Sequence, residues 1–184
     1  MITKQGTAAR AAWALPLLRV APGQVTQLTV QSESIIYFEL HWLDKNYVCP
    51  GDGCPSCCES LARMKGYFIA LVHVGDRSTS CLVEAPPSSI QRLLDQIAME
   101  QGVLKPGLQL TVHRRAKNRS VSFDLGDEGG RVIDQLTPDH RTLSATAVLF
   151  GLPLPRREET TDEYVLRAEP VARNLLLMAT KLGR

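Results

Sequence analysis

Residues 41–58, HWLDKNYVCPGDGCPSCC, hold four of the chain's five cysteines and one of its four histidines. So many soft donors in so short a stretch restrict it to a metal site, a redox pair or a disulfide knot, and any fold must be built around it. From His41 to Cys49 there are seven intervening residues, from Cys49 to Cys54 four, and from Cys54 to Cys57 two. Two residues between Cys54 and Cys57 let both thiolates face one ion at about 2.3 Å. Pro50, Pro55, Gly51 and Gly53 supply the tight turns that aim the donors.

The compartment bears on the choice. The run AAWALPLL at residues 11–18 follows Lys4 and Arg10, but it contains a proline, stops at Arg19 and lacks a small-residue cleavage pattern, so it does not read as a secretory signal. No stretch approaches the roughly 20 apolar residues that span a bilayer. The expectation is a cytoplasmic protein without a membrane partner, in which thiols stay reduced and clustered cysteines bind metal. An odd cysteine count agrees with that. The expected cofactor is one structural zinc ion held by His41, Cys49, Cys54 and Cys57, a closed set with no open position for catalysis. Cys58 should point elsewhere, unless the shape of the loop lets it replace Cys57 or His41. Cys81 reads as a small buried hydrophobe.

Two enzymatic readings fail on spelling. Zinc deaminases need a Glu two places after the histidine and a Pro before the knuckle; here Leu43 and Gly53 stand there. A thioredoxin-like pair needs a βαβ setting, and the flanking segments alternate like antiparallel strands. No nucleophile triad, phosphate loop or dinucleotide fingerprint is legible, and the chain is expected not to be an enzyme.

Around the cysteines the dominant period is two. GQVTQLTVQS (23–32) and SIIYFELHWLD (34–44) read as strands, the second with Ile36, Phe38, Leu40 and Trp42 as a core stripe and Tyr37, Glu39 and His41 opposite. Residues 66–86 read as a hairpin turning at 75–78, and residues 88–102 as a helix capped by Ser88 and closed by Gly102. Residues 107–126 form a second hairpin about Lys117-Asn118. The predicted fold class is mainly β with flanking helices, an oligonucleotide-binding barrel with an inserted zinc loop. The expected domains are an N-terminal arm (1–22), the barrel (23–126) with the zinc loop at 41–58, and a helical C-terminal extension (127–184), linker-like at 151–163 and ending in a helix over 171–184.

The formal net charge of +2 decides nothing, but its distribution does. Residues 101–123 carry Lys105, Arg114, Arg115, Lys117 and Arg119 and no carboxylate. Such a run tracks a phosphate backbone, while aromatic faces stack unpaired bases. The expected nucleic-acid contacts are phosphate contacts from Arg63, Lys65, Arg114, Arg115, Lys117 and Arg119, and stacking from Tyr37 and Tyr47, with Tyr67 nearby.

The order His41, Cys49, Cys54, Cys57, then Arg63 with Gly66-Tyr67, then LVEAPPSSIQRLLDQI and GLQLTVHRRAKNRSVSFDL, resembles the zinc-containing single-stranded DNA-binding proteins of tailed phages of the T-even type. The likeness covers roughly residues 23–126. It implies a His-Cys-Cys-Cys zinc subdomain inserted in an oligonucleotide-binding fold, and a sequence-tolerant binder of single-stranded DNA, with RNA left open. The family's basic N-terminal self-association motif is only faintly echoed by Lys4 and Arg10. Its acidic C-terminal tail is not matched, since residues 171–184 are basic and apolar, so filament formation and tail recruitment are not implied. The alternative expectation is a zinc-containing adaptor or assembly subunit that holds a protein partner through residues 171–184, where Leu175-Leu176-Leu177-Met178 exceeds a narrow helix stripe.

Overall fold

The structure is a computed structural model and describes residues 12–100, 102–115, 121–133 and 138–182. The described residues form seven strands: β1 (Val25–Val30), β2 (Ile36–Trp42), β3 (Asn46–Val48), β4 (Arg63–Val74), β5 (Arg77–Ala85), β6 (Gln109–Arg114) and β7 (Val121–Leu125). Helices α1 (Pro87–Glu100), α2 (Pro138–Phe150) and α3 (Thr161–Leu182) accompany them. The strands form one sheet in the order β3-β2-β4-β1-β6-β7, with β5 also on β4; the pairs β1–β4, β1–β6, β2–β3, β4–β5 and β6–β7 are antiparallel.

The expectation of a mainly β chain with flanking helices therefore holds, but the sheet is not closed. It ends at β3 and β7, with β5 a further edge branching from β4, and among the described residues no ladder joins these edges. Closure needs strands long enough to tilt and stagger around an axis, and β3 has three residues while β7 has five.

The chain divides into two compact units, each discontinuous in sequence. One comprises Leu15–Ile36 and Gly66–Thr142. Its core follows from the alternation: Leu28 and Val30 of β1, Leu110 and Val112 of β6, Phe68 of β4 and Phe123 of β7 are buried together with Ile90, Leu93 and Ile97 of α1. Phe68 and Phe123 meet with ring centroids 5.9 Å apart, tilted by 59°. Each such side chain, fully buried, contributes about 1.5–3 kcal/mol. The α1 start differs from expectation: Pro87, not Ser88, opens the helix, because a proline at the first position gives up an amide that would be orphaned anyway. Ser89 instead donates to the Val121 carbonyl and so ties α1 to β7. At the other end the Gly102 amide reaches the Ile97 carbonyl at 2.7 Å with φ of 88°, the left-handed helix stop that glycine permits.

Part of the expected N-terminal arm is woven into this unit. The Leu82 amide donates to the Pro16 carbonyl at 2.9 Å, the Leu18 amide to Leu82 at 2.8 Å, and Val20 is in the core.

The other unit comprises Met1–Ala14, Tyr37–Lys65 and Leu143–Arg184. It contains the β2–β3 hairpin, the cysteine loop, the start of β4, most of α2 and all of α3. Phe38 and Phe150 pack with centroids 5.4 Å apart. The terminal helix starts ten residues earlier than expected, at Thr161, so the last three residues of the predicted linker are helical. The cause is a capping box: Thr160 Oγ1 accepts from the Glu163 amide at 3.3 Å and the Glu163 carboxylate accepts from the Thr160 amide at 2.9 Å. Pro170 lies inside the helix without ending it.

Candidate metal centre

β2 delivers His41 from the strand interior, where it is fully buried. Its partner across the hairpin is Tyr47, and the Cys49 amide extends the ladder by donating to the Glu39 carbonyl at 2.8 Å. Strand pairing thus positions the first two donors. The chain then turns at Gly51 and Gly53, whose φ values of 80° and 67° lie in the left-handed region. The Cys54 amide donates to the Gly51 carbonyl at 3.1 Å and the Cys57 amide to the Cys54 carbonyl at 3.3 Å, which bends the knuckle back on β2.

The result is that Nδ1/Nε2 of His41 and the sulfurs of Cys49, Cys54 and Cys57 all lie within 4.8 Å of one another. His41 Nε2 is 3.3 Å from Cys54 Sγ and 3.4 Å from Cys57 Sγ, and Cys49 Sγ is 3.7 Å from Cys57 Sγ. A tetrahedron with arms of about 2.3 Å to sulfur has edges of about 3.8 Å, so these separations fit one ion at the centre. The other imidazole nitrogen, Nδ1, faces Ser60 Oγ at 3.2 Å. That outer partner fixes the ring so that Nε2 is offered to the metal.

The thiols are biased by their surroundings. Burial pushes the Cys49 thiol up to about 12, against the pull of the Gly51 amide. Burial opposes ionisation at Cys54 too, but the Ser56 and Cys57 amides and the neighbouring thiols outweigh it and lower the value. Burial and the Cys54 thiol raise Cys57. Backbone amides aimed at a sulfur stabilise a thiolate, the form a metal needs. The donor set, its geometry and these amides all suit one divalent ion such as zinc. Cys58 is exposed and lies outside the set, and Cys81 is buried on β5, its thiol pushed by burial to about 12.

The expected nucleic-acid contacts are distributed differently. Tyr37, Tyr47, Arg63 and Lys65 belong to the unit that holds the metal donors; Arg114 and Arg115 belong to the other. Tyr37 is 42% exposed. Tyr47 is half-buried, with the Lys45 ammonium 5.3 Å from its ring centroid. Arg63 is exposed and Lys65 half-buried. Tyr67 is fully buried and donates to Glu84 at 2.7 Å, so it offers no stacking face. Arg114 directs Nη1 to the Val20 carbonyl at 2.8 Å, which ties down the segment before β1. Arg115 is exposed. Lys117 and Arg119 lie outside the described residues. The basic run is less free of acid than its spelling indicates, because Asp124 of β7 approaches His113 at 2.8 Å and Glu128 pairs with Lys105 at 2.6 Å.

Two residues escaped the sequence reading. Trp42 was expected on the core stripe with Phe38 and Leu40, yet it is 68% exposed. Period two assigns the face but not how far the covered sheet extends, and Trp42 ends β2 opposite Asn46, next to the turn. The Asp44-Lys45 pair just beyond it was the available signal. The second is Arg173 of α3, whose guanidinium donates to the carbonyls of Gly53 at 2.9 Å and Asp52 at 2.8 Å. Compared with protein-family models, curated proteins and solved structures, the chain matches none.

Proposed function

We propose that this protein is a zinc-stabilised, non-enzymatic binder of single-stranded nucleic acid, most simply single-stranded DNA. The observation that carries the reading is the aromatic hairpin rooted in the metal centre. Trp42, 68% exposed, follows the ligand His41 directly, Tyr47 sits across from it, and the exposed Arg63 opens β4 in the same unit. An exposed indole costs solvation unless a partner covers it, and an unpaired base is a partner that any sequence supplies. Arg115, exposed on the other unit, is a further expected phosphate contact, as are Lys117 and Arg119, which lie outside the described residues. The kinship to phage single-stranded DNA-binding proteins, and the oligonucleotide-binding description of the sheet, belong to this proposal. What supports them is the order strand, strand, strand, metal loop, strand, strand, helix, strand, strand, and the fact that such folds are partly open.

Fluorescence anisotropy of labelled single-stranded and duplex oligonucleotides across a salt series tests the reading. Preference for single strands with affinity falling as salt rises is expected; equal binding to both forms, or no salt dependence, would sink it.

A second reading, a zinc-containing adaptor, is favoured by Leu177 and Met178 of α3, which are 37% and 62% exposed although Leu176 between the turns is fully buried. Replacing both exposed residues by glutamate separates the readings: loss of a protein partner with nucleic-acid affinity intact supports the adaptor.

A further inference from the structure

We infer that the cleft between the β2–β3 hairpin and α3 is a docking slot for a peptide segment carrying a large apolar side chain next to a lysine or arginine. The cleft has a volume of about 240 Å³. That is below the roughly 300–1,000 Å³ of sites for drug-sized ligands, so it takes one large side chain and not an extended molecule. Ala168 and Ala172, one turn apart on α3, leave the room, and Phe38, Val48 and Leu152 add apolar wall. Two of the lining residues reach solvent without cover: Tyr37 is 42% and Val165 54% exposed. A rigid aromatic and an aliphatic rim around a small apolar well is the arrangement that yields binding energy when water is excluded.

The charge at the slot chooses the partner. Its lining carboxylates are Glu39 and Glu169, and among the described residues no lysine or arginine lines it. Glu169 is engaged by Arg173 at 2.9 Å, whereas Glu39 is exposed and makes no ion pair among the described residues. A polyanion entering here would bring its phosphates against an uncompensated carboxylate, while a cationic side chain beside the inserted one would be drawn to it. The slot is therefore a protein-binding feature: it shares the β2–β3 hairpin with the proposed nucleic-acid surface and claims Tyr37 for a peptide, and it does not depend on that reading.

The test is a titration of the isotope-labelled, zinc-loaded full chain, followed by amide chemical shifts, with two blocked tetrapeptides, Gly-Phe-Lys-Gly and Gly-Phe-Glu-Gly. Saturable shifts at Gly51, Ala168 and Ala172 are expected with the lysine peptide, with affinity at least about fivefold weaker for the glutamate peptide. Glu39→Gln should erase most of that preference. Val165→Lys, at an exposed rim position where folding is unaffected, should weaken the lysine peptide, and Ala168→Leu should abolish binding by filling the well. No saturable shift at millimolar peptide, equal response to both peptides, or unchanged binding in Ala168→Leu with normal zinc content would overturn the inference. So would shifts at the same amides on concentrating the protein alone without any response to peptide, which would assign the slot to a second copy of this chain.

Discussion

Arg173 of α3 holds the carbonyl of Gly53, in the middle of the metal loop, at 2.9 Å, although 120 residues separate the two in the chain. The same guanidinium takes the Asp52 carbonyl and is itself oriented by Glu169 one helical turn before it. A loop whose two glycines adopt left-handed conformations is thus braced by the helix that follows it by a hundred residues, within one compact unit.

Arg173→Ala is expected to leave one metal ion per chain but to speed its transfer to a competing chelator several-fold, since the loop loses two charge-assisted bonds. The site is partly exposed, so the stability loss should be about 1 kcal/mol rather than the full value of buried charged bonds. Chelator-exchange kinetics with thermal melting checks both. Arg173→Lys should restore only part of the effect, because an ammonium cannot span both carbonyls as a planar fork does.

Elemental analysis of protein purified under reducing conditions should give one zinc per chain. Cys49→Ser and Cys54→Ser should lose it, while Cys58→Ser and Cys81→Ser retain it. Ser60→Ala should weaken metal affinity by about tenfold, as removal of an outer partner of a ligating histidine does. Retained metal in Cys54→Ser would show that Cys58 or another donor completes the site.

Trp42→Ala should lower affinity for single-stranded oligonucleotides by about 1–3 kcal/mol with little change in salt dependence, the signature of lost stacking. Arg63→Ala should lower affinity and reduce the slope of log affinity against log salt by somewhat less than one. Anisotropy titrations at several salt concentrations distinguish the two, and an unchanged affinity in Trp42→Ala would remove the hairpin from the interface.

Cys81 makes stability depend on alkaline pH. Its thiol is held up to about 12 by burial, against the 9.0 of an exposed thiol. Below the unfolded value both states keep the proton and nothing changes. As pH rises past it, the unfolded thiol ionises first, the native state binds more protons, and stability falls until the folded value is passed. Between about pH 8 and about pH 10 the loss should be on the order of 1 kcal/mol. Urea unfolding of the native chain and of Cys81→Ala at the two pH values should show a steeper alkaline decline in the native chain.

The donor set was legible in the sequence because ligand chemistry is written in residue type and short spacing: His41, Cys49, Cys54 and Cys57 lie within seventeen positions, and local turns suffice to converge them. Every strand but β3, which the sequence reading left inside the cysteine loop, was legible together with α1 for a similar reason, since a period of two or 3.6 is a local property of the chain. The start of α3 was also written locally, in the Thr160–Glu163 box, but the prolines and charges around it obscured it. Other features had no local spelling. Alternation placed Trp42 on the same face as Leu40, but only the extent of the sheet decides that one is covered and the other is not. Arg114 looks like its neighbour Arg115 in sequence, yet a carbonyl ninety-four residues away claims its guanidinium. Nor does any spacing reveal that Arg173 braces the metal loop. By itself the sequence determined which residues can bind a metal and where the strands run; the tertiary structure decided which side chains remain for a partner, because burial and long-range hydrogen bonds depend on what the rest of the chain brings alongside.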